Sequence, residues 1–133
     1  MSDENLAGGC LCGAVRYEIE GPGEGVSHCH CEMCRKASGA AFVTWLGVAH
    51  DKFRYTQGIP ASHRSSETAS RSFCAACGSQ LQFEYHGTHD HTHVSVGSLD
   101  QPGRVTPARH IWVHSRIPWA NYADGLPEFS RET

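Results

Sequence analysis

The sequence predicts a small all-β, β-rich fold of short antiparallel strands with one short helix. Three features predict it: short stretches in which apolar and polar residues alternate, turn-forming Gly, Pro and Ser residues between these stretches, and a single helical pattern near residues 32–38. A chain of 133 residues suits one domain. We therefore expect a single domain over residues 1–133.

The strands are predicted from local patterns along the chain. Residues 15–19 alternate between apolar and polar and predict a half-buried strand, which ends at the turn Gly21-Pro22-Gly23. Residues 41–48 are continuously apolar and aromatic, which is typical of a buried strand. Further short strands are expected at residues 53–55, 71–73, 81–85, 94–96 and 111–113. The tail, residues 118–133, is expected to be an irregular covering segment.

Composition and charge disfavour several kinds of partner. The formal net charge is −3, and no basic stripe favours nucleic acid. No apolar run is long enough for a membrane span, and the acidic, polar start of the chain is unlike a secretory signal. We therefore expect a cytoplasmic protein. Because disulfides rarely persist in the cytoplasm, the seven cysteines are expected to be metal ligands or reactive thiols.

Two cysteine pairs share one pattern, in which two thiols lie close in sequence and a glycine follows the second. The pairs are Cys10/Cys12 and Cys74/Cys77. The glycine permits a tight turn in which backbone N–H groups point at the sulfurs. Two such turns supply the four thiolates of a closed, tetrahedral structural zinc site. The alternative is that one pair consists of buried thiols in a core.

A third cluster places Cys29, Cys31 and Cys34 beside His28 and His30. Three thiolates without a fourth cysteine predict a second, catalytic zinc site with one position open to water or substrate. Because neighbours in a strand point to opposite faces, the two histidines are expected to act as acid–base groups rather than ligands. One alternative is a second structural site that a histidine closes. Another is a cysteine–histidine nucleophile, which the same alternation disfavours.

Three further residues are candidates for binding a substrate. Arg35 offers a cation to the carboxylates of a thiol substrate, and its alternative role is a solvated helix face together with Lys36. Trp45 is a candidate pocket wall, although large aromatic residues in β folds are usually core. His110 is a candidate pocket donor, and the competing interpretation is an ordinary strand histidine.

Three segments carry a resemblance to a known family. GCLCGAVRY at residues 9–17, HCHCEMCRKASG at 28–39 and FCAACGS at 73–79 resemble motifs of the glutathione-dependent formaldehyde-activating enzyme family, which includes centromere protein V-like domains. Shorter matching segments follow at residues 96–100, 110–112 and 118–119. The resemblance covers residues 8–129 and includes the order and spacing of all seven cysteines.

The resemblance implies a β-tent-like fold of small sheets around a structural zinc ion, with two Zn²⁺ per chain. It implies a ligand set for each ion: Cys10, Cys12, Cys74 and Cys77 for the structural one, and Cys29, Cys31 and Cys34 for the catalytic one. It also implies carbon–sulfur lyase chemistry on a thiol–carbonyl adduct such as S-(hydroxymethyl)glutathione, with glutathione as the small-molecule thiol. The competing function is a non-catalytic zinc-binding module for a protein or small thiol.

The sequence departs from the family pattern mainly in the loop at residues 86–93. This loop contains four histidines in eight residues, and such a tract can bind a transition metal. The favoured interpretation is a polar hairpin loop.

Overall fold

The computed structural model describes residues 4–87 and 90–132. Within them lie ten strands and one α-helix, with four short 3₁₀ turns at His50–Lys52, Val96–Ser98, Pro102–Arg104 and Val113–Ser115. The strands and the helix are β1 (Leu6–Gly9), β2 (Arg16–Ile19), β3 (Glu24–Cys29), α1 (Glu32–Ser38), β4 (Val43–Ala49), β5 (Phe53–Gln57), β6 (Ala61–Arg64), β7 (Ala69–Phe73), β8 (Gln80–Tyr85), β9 (His91–Ser95) and β10 (Arg109–Ile111). None of the described helices has the length and hydropathy of a membrane span.

The β-rich class and the helix at 32–38 are confirmed. Two predicted strands, at residues 94–96 and 111–113, end earlier than expected, because Val96 and Val113 begin 3₁₀ turns. Three strands, β1, β3 and β6, were not predicted, since their sequences LAGG, EGVSHC and ASHR lack a regular apolar alternation. Their formation depends on pairing with neighbouring strands rather than on local pattern.

The chain divides into two compact units, and the single-domain organisation stays a prediction. The first unit comprises Met1–Glu24 and Leu46–Val105. It contains an antiparallel sheet in the order β1-β2-β5 and the antiparallel series β9-β8-β7-β6. Its buried side chains include Tyr17, Leu46 and Leu81, none of which is exposed to solvent.

Tyr17 is the largest of these buried side chains, and its position requires a glycine opposite. Gly8 of β1 pairs with Tyr17 of β2, and a Cβ atom at Gly8 would overlap the Tyr17 hydroxyl and the Ser98 carbonyl oxygen. The Tyr17 hydroxyl lies 2.6 Å from Ser98 Oγ, so the buried phenol has a hydrogen-bond partner. Burial raises the pKa of Tyr17 to about 12, which keeps the phenol neutral at physiological pH.

The second unit comprises Gly25–Trp45 and Thr106–Thr133. Here β10 pairs in parallel with β3, so that His110 lies beside His28 and Ile111 beside Cys29. The prediction of antiparallel sheets does not extend to this pair, because a long crossover lies between its two strands. The helix α1 begins at its N-cap Cys31 and ends at Gly39, which adopts the left-handed conformation.

The C-terminal tail covers the outer edge of β10 without forming a long strand. The His110 N–H donates to the Pro127 carbonyl at 2.9 Å, and the Phe129 N–H donates to the His110 carbonyl at 2.9 Å. A further N–H, that of Val113, donates to the Phe129 carbonyl at 3.1 Å. These bonds satisfy polar groups that an edge strand would otherwise leave open.

Replacing Gly8 with alanine is expected to lower the free energy of unfolding by about 1–3 kcal/mol, because the added methyl group overlaps the buried Tyr17 side chain. Gly97→Ala is the matched control, since no atom lies within 4 Å of its Cβ position. Denaturant unfolding at one fixed metal concentration measures both variants. Equal destabilisation of the two variants would contradict the close packing at Gly8.

Candidate metal centres

The first cysteine cluster lies in the first unit and joins two turns distant in sequence. Cys10 follows β1 and Cys74 follows β7, and the Sγ atoms of Cys10, Cys12, Cys74 and Cys77 all lie within 4.8 Å of one another. The Cys10 and Cys12 sulfurs are 3.6 Å apart, and those of Cys12 and Cys74 are 3.8 Å apart. A tetrahedral zinc ion with Zn–S bonds of about 2.3 Å needs sulfurs about 3.8 Å apart. The four cysteines therefore fit the predicted structural zinc site.

The turns of this cluster favour the thiolate forms of Cys10 and Cys77. Gly13 and Gly78 have φ values of 82° and 81°, the left-handed region that the tight turns require. The Val15 N–H donates to Cys10 Sγ at 3.2 Å, and this bond lowers the pKa of the Cys10 thiol. Hydrogen bonds from the Ser79 hydroxyl and backbone lower the pKa of Cys77 to about 5. Backbone N–H groups thus meet the sulfurs as the sequence pattern predicts.

The second cysteine cluster lies in the second unit. Cys29 ends β3, Cys31 is the N-cap of α1, and Cys34 lies in its first turn, with the three Sγ atoms within 4.8 Å of one another. Cys29 and Cys34 are buried, and Cys31 is half-buried. The hydrogen bond with Cys31, followed by that with Cys34 and by burial, raises the pKa of the Cys29 thiol. Three thiols packed in this way ionise together only if a cation neutralises them, which fits the donor set of a zinc site.

The second cluster contains only three candidate ligands. Among the residues that the structure describes, no histidine, aspartate or glutamate joins the group formed by Cys29, Cys31 and Cys34. Three protein ligands leave one position of a tetrahedral ion to water or to a substrate. This arrangement favours the open site over the alternative that a histidine closes, and zinc binding itself stays a prediction.

His30, next to these cysteines, forms a hydrogen-bonded chain with His110 and Asp124. Nε2 of His30 lies 2.8 Å from Nδ1 of His110, and Nε2 of His110 lies 2.8 Å from Oδ2 of Asp124. The hydrogen bond from His110 holds the pKa of Asp124 below its usual range, so Asp124 is a carboxylate and accepts a hydrogen bond from His110 Nε2–H. His110 Nδ1 must then accept from His30 Nε2–H. The remaining nitrogen, Nδ1 of His30, is buried and has no hydrogen-bond partner.

The two histidines next to the second cysteine cluster, His28 and His30, both favour the neutral form. Burial, followed by the charge of Arg116, lowers the pKa of His30 to about 4. Burial also lowers the pKa of His28, whose Nδ1 lies 2.7 Å from the Thr44 hydroxyl. Each neutral imidazole keeps one lone pair for a proton or a metal ion.

Asp124 was not predicted from the sequence. It lies in the irregular tail, 14 residues after its partner His110, and no spacing pattern connects the two. The only local signal is the glycine that follows it, which is typical of a turn. In the structure the Leu126 N–H donates to Asp124 Oδ1 at 3.1 Å, which fixes the carboxylate locally.

The predicted substrate-binding residues lie in different surroundings. Trp45 is buried, with 6% of its surface exposed, as a core aromatic would be. Arg35 is half-buried, and its Nε is buried without a hydrogen bond, unlike the neighbouring Lys36, which pairs with Glu32 at 3.2 Å. His110 is 1% exposed and belongs to the histidine network. Their roles in substrate binding stay predictions.

The histidine-rich loop connects β8 and β9, which form an antiparallel hairpin with Phe83 opposite His93. His86 lies 2.6 Å from the Ser70 hydroxyl, and His91 pairs with Glu24 at 2.5 Å. His89 lies outside the described residues. None of the described loop histidines belongs to a group of three candidate ligands, so the structure favours the polar hairpin.

The fold and the two thiol clusters define a β-rich protein with two groups of cysteines that could each hold a metal ion. A scan against protein families matches residues 5–115 to the glutathione-dependent formaldehyde-activating enzyme family, and the chain belongs to this family. The resemblance seen in the cysteine motifs is thereby confirmed.

Two similar proteins support this placement. An uncharacterized lyase of Schizosaccharomyces pombe is 34% identical over 80 residues, which are 59% of this chain and 56% of that protein. The matched part thus spans little more than half of the relative. The crystal structure of a Rhodobacter sphaeroides protein has a TM-score of 0.62 and 22% identity, and the match covers 92% of this chain and 98% of that one. This second likeness supports the fold alone.

The ligand sets predict two zinc ions per chain that respond differently to substitution. Cys74→Ser is expected to lose the first ion and to unfold at a much lower temperature, because structural zinc contributes about 10–16 kcal/mol in small peptides. Cys31→Ser is expected to lose the other ion with a smaller effect on thermal unfolding. Elemental analysis and thermal unfolding measure both. A Cys74→Ser protein with full zinc content and unchanged unfolding would contradict the structural site.

Proposed function

We propose that this protein is a zinc-dependent carbon–sulfur lyase-type enzyme that forms or cleaves a thiol–carbonyl adduct such as S-(hydroxymethyl)glutathione. One observation carries the proposal: Cys29, Cys31 and Cys34 converge without a fourth ligand from the described residues. Family membership and the lyase name of the fission-yeast relative support this class of chemistry. The expected cofactors are two Zn²⁺ per chain, of which the second serves the reaction.

The reaction exchanges one bond to carbon and one proton. In the forward direction the sulfur of glutathione attacks the carbon of formaldehyde, a carbon–sulfur bond forms, and the carbonyl π bond breaks. The thiol proton is transferred to the oxygen that becomes the hydroxyl group. In the reverse direction the hydroxyl proton leaves, the carbonyl is restored and the thiol departs, so no oxidant or reductant is consumed.

The chain supplies ligands and groups that handle the proton. Cys29, Cys31 and Cys34 would hold the ion, which when bound supplies a positive charge that favours a thiolate near neutral pH. His28 and His30 are the proposed acid–base groups that exchange the proton between thiol and hydroxyl oxygen. His28 is half-buried and meets solvent more readily than His30, which is fully buried.

The proposed substrate contacts serve a thiol that carries carboxylates. Arg35 lies one residue after Cys34 and has a buried Nε without a partner, so a carboxylate could satisfy that donor. Trp45 and His110 are the other proposed contacts, through an apolar face and a ring nitrogen. We place the reaction in the cytoplasm, where reduced thiols such as glutathione are abundant.

The competing function is a zinc-binding module that binds a thiol or a protein without catalysis. The burial of Cys29 and Cys34, with 4% and 5% of their surfaces exposed, favours it, because little of the cluster faces solvent. The half-buried Cys31 and the missing fourth ligand favour the enzyme.

Substitution of Cys31 by serine tests the enzyme directly. Serine can keep the N-cap contact that Cys31 Sγ makes with the Cys34 N–H at 3.2 Å, but it removes a thiolate. The rate at which glutathione and formaldehyde exchange with their adduct is expected to fall by roughly 100-fold or more, because a Lewis-acid ion contributes several kcal/mol. NMR exchange spectroscopy at equilibrium measures this rate above the uncatalysed background.

The matched control is Met33→Leu, a conservative change at an exposed position of the same helix, which is expected to leave the exchange rate near that of the wild type. A wild-type protein that binds glutathione but does not raise the exchange rate would support the binding module. A Cys31→Ser protein as active as the wild type would rule out the three-cysteine mechanism.

A further inference from the structure

A third group of metal-ligand side chains lies in the second unit, apart from both cysteine clusters. Candidate ligand atoms of His28, His110 and Asp124 lie within 4.8 Å of one another. His28 and Cys29 are neighbours in β3, so their side chains point to opposite faces of the strand. We propose that His28, His110 and Asp124 form a binding site for a divalent first-row transition-metal ion, distinct from the thiol clusters. An ion held there would take His28 and His110 out of the acid–base and substrate roles proposed above and would leave His30 as the acid–base group.

The two imidazoles are held rigidly. His28 and His110 are paired across the parallel strands β3 and β10, and their ring centroids are 4.9 Å apart. Phe42 packs against His28, with a centroid distance of 4.9 Å, and provides an apolar wall. Ligands on paired strands change little on binding, which favours a preformed site.

Each prospective ligand already has an outer partner. Nδ1 of His28 lies 2.7 Å from the Thr44 hydroxyl, and Nδ1 of His110 lies 2.8 Å from His30 Nε2. Asp124 Oδ1 accepts the Leu126 N–H, which leaves Oδ2 directed at His110. Metal-binding histidines usually donate their second ring N–H to such a partner, which orients the ring.

The distance between His110 and Asp124 needs little adjustment for an ion to enter, and His28 offers a ligand atom within 4.8 Å of both. His110 Nε2 and Asp124 Oδ2 are 2.8 Å apart, whereas two ligands bound to one ion at about 2.1 Å lie about 3.0–3.4 Å apart. His110 is buried, His28 is half-buried and Asp124 is exposed, so the remaining positions of the ion face solvent. Two histidines and one carboxylate with open positions suit Zn²⁺, Co²⁺ or Fe²⁺.

Protons balance when the ion takes Nε2 of His110. Before binding, His110 and His30 each carry a proton on Nε2, as the carboxylate of Asp124 requires. After binding, His110 carries its proton on Nδ1 and donates it to His30 Nε2, so His30 carries its proton on Nδ1. In the structure, Nδ1 of His30 has no hydrogen-bond partner, so it can take this proton without breaking a bond. The two rings together keep the same number of protons.

Titration of the zinc-loaded protein with Co²⁺ tests the site. The wild type is expected to take up one Co²⁺ per chain, with d–d absorption and without the charge-transfer absorption of thiolate ligands. Asp124→Asn keeps the shape of the side chain and removes its charge, and His28→Gln removes one nitrogen ligand. Each is expected to weaken Co²⁺ binding at least tenfold, since even outer partners of metal ligands affect affinity by about 10–100-fold.

Two controls separate this site from other carboxylates and histidines. Asp51→Asn makes the same charge change at an exposed position, and His91→Gln alters the histidine-rich loop; both are expected to bind Co²⁺ as the wild type does. In the wild type, bound Co²⁺ should shift the imidazole NMR signals of His28 and His110. The proposal is overturned if no Co²⁺ binds beyond the zinc, if its absorption shows thiolate ligands, or if His91→Gln abolishes binding while Asp124→Asn does not.

Discussion

Mutual repulsion among thiolates is the constraint on which the two cysteine clusters depend. Two unit charges 4 Å apart repel by about 4 kcal/mol at an effective dielectric of 20, and the Cys10, Cys12 and Cys74 sulfurs are 3.6–3.8 Å from a neighbour. Such a cluster must either stay largely protonated or enclose a cation. Hydrogen bonds from Val15 and Ser79 favour thiolates at Cys10 and Cys77, and so favour an enclosed cation. Cys12 and Cys74 are 62 residues apart in sequence, so an enclosed ion would act as a long-range cross-link.

The parallel pairing of β3 and β10 determines which chemistry each face can support. Alternation in β3 directs Cys29 to one face and His28 to the other, and the register places His110 next to His28. One short strand therefore contributes to a thiol cluster and to a histidine–carboxylate group without mixing their ligands. The tail fixes β10 from its outer edge by hydrogen bonds to His110 and Val113. An irregular segment thereby stabilises the strand that carries a central histidine of the unit.

Local sequence patterns were enough for the cysteines and the helix, but not for the strands that pair over long distances. The Cys-x-Cys and Cys-x-x-Cys turns with a following glycine constrain their own geometry, which is why the four sulfurs of the first cluster could be predicted. The strands β1 and β3 contain glycines and polar residues and form only because partners bind their edges. Asp124 meets His110 through the path of an irregular tail, and no periodicity encodes that path. Contacts that depend on tertiary packing cannot be predicted from local sequence patterns.

Cys31 links the helix to the second cluster, and this link limits how the cluster can vary. Its Sγ accepts the Cys34 N–H and so caps the first turn of α1, while the same sulfur faces Cys29 and Cys34. Thiolate at this position strengthens both roles, because a negative charge at a helix N-terminus is favourable. A helix of seven residues is too short to be stable alone, so its order depends on the contacts at its ends. Any ion that held Cys31 as a thiolate would therefore also fix the start of α1, and with it the position of Arg35 one turn further along the helix.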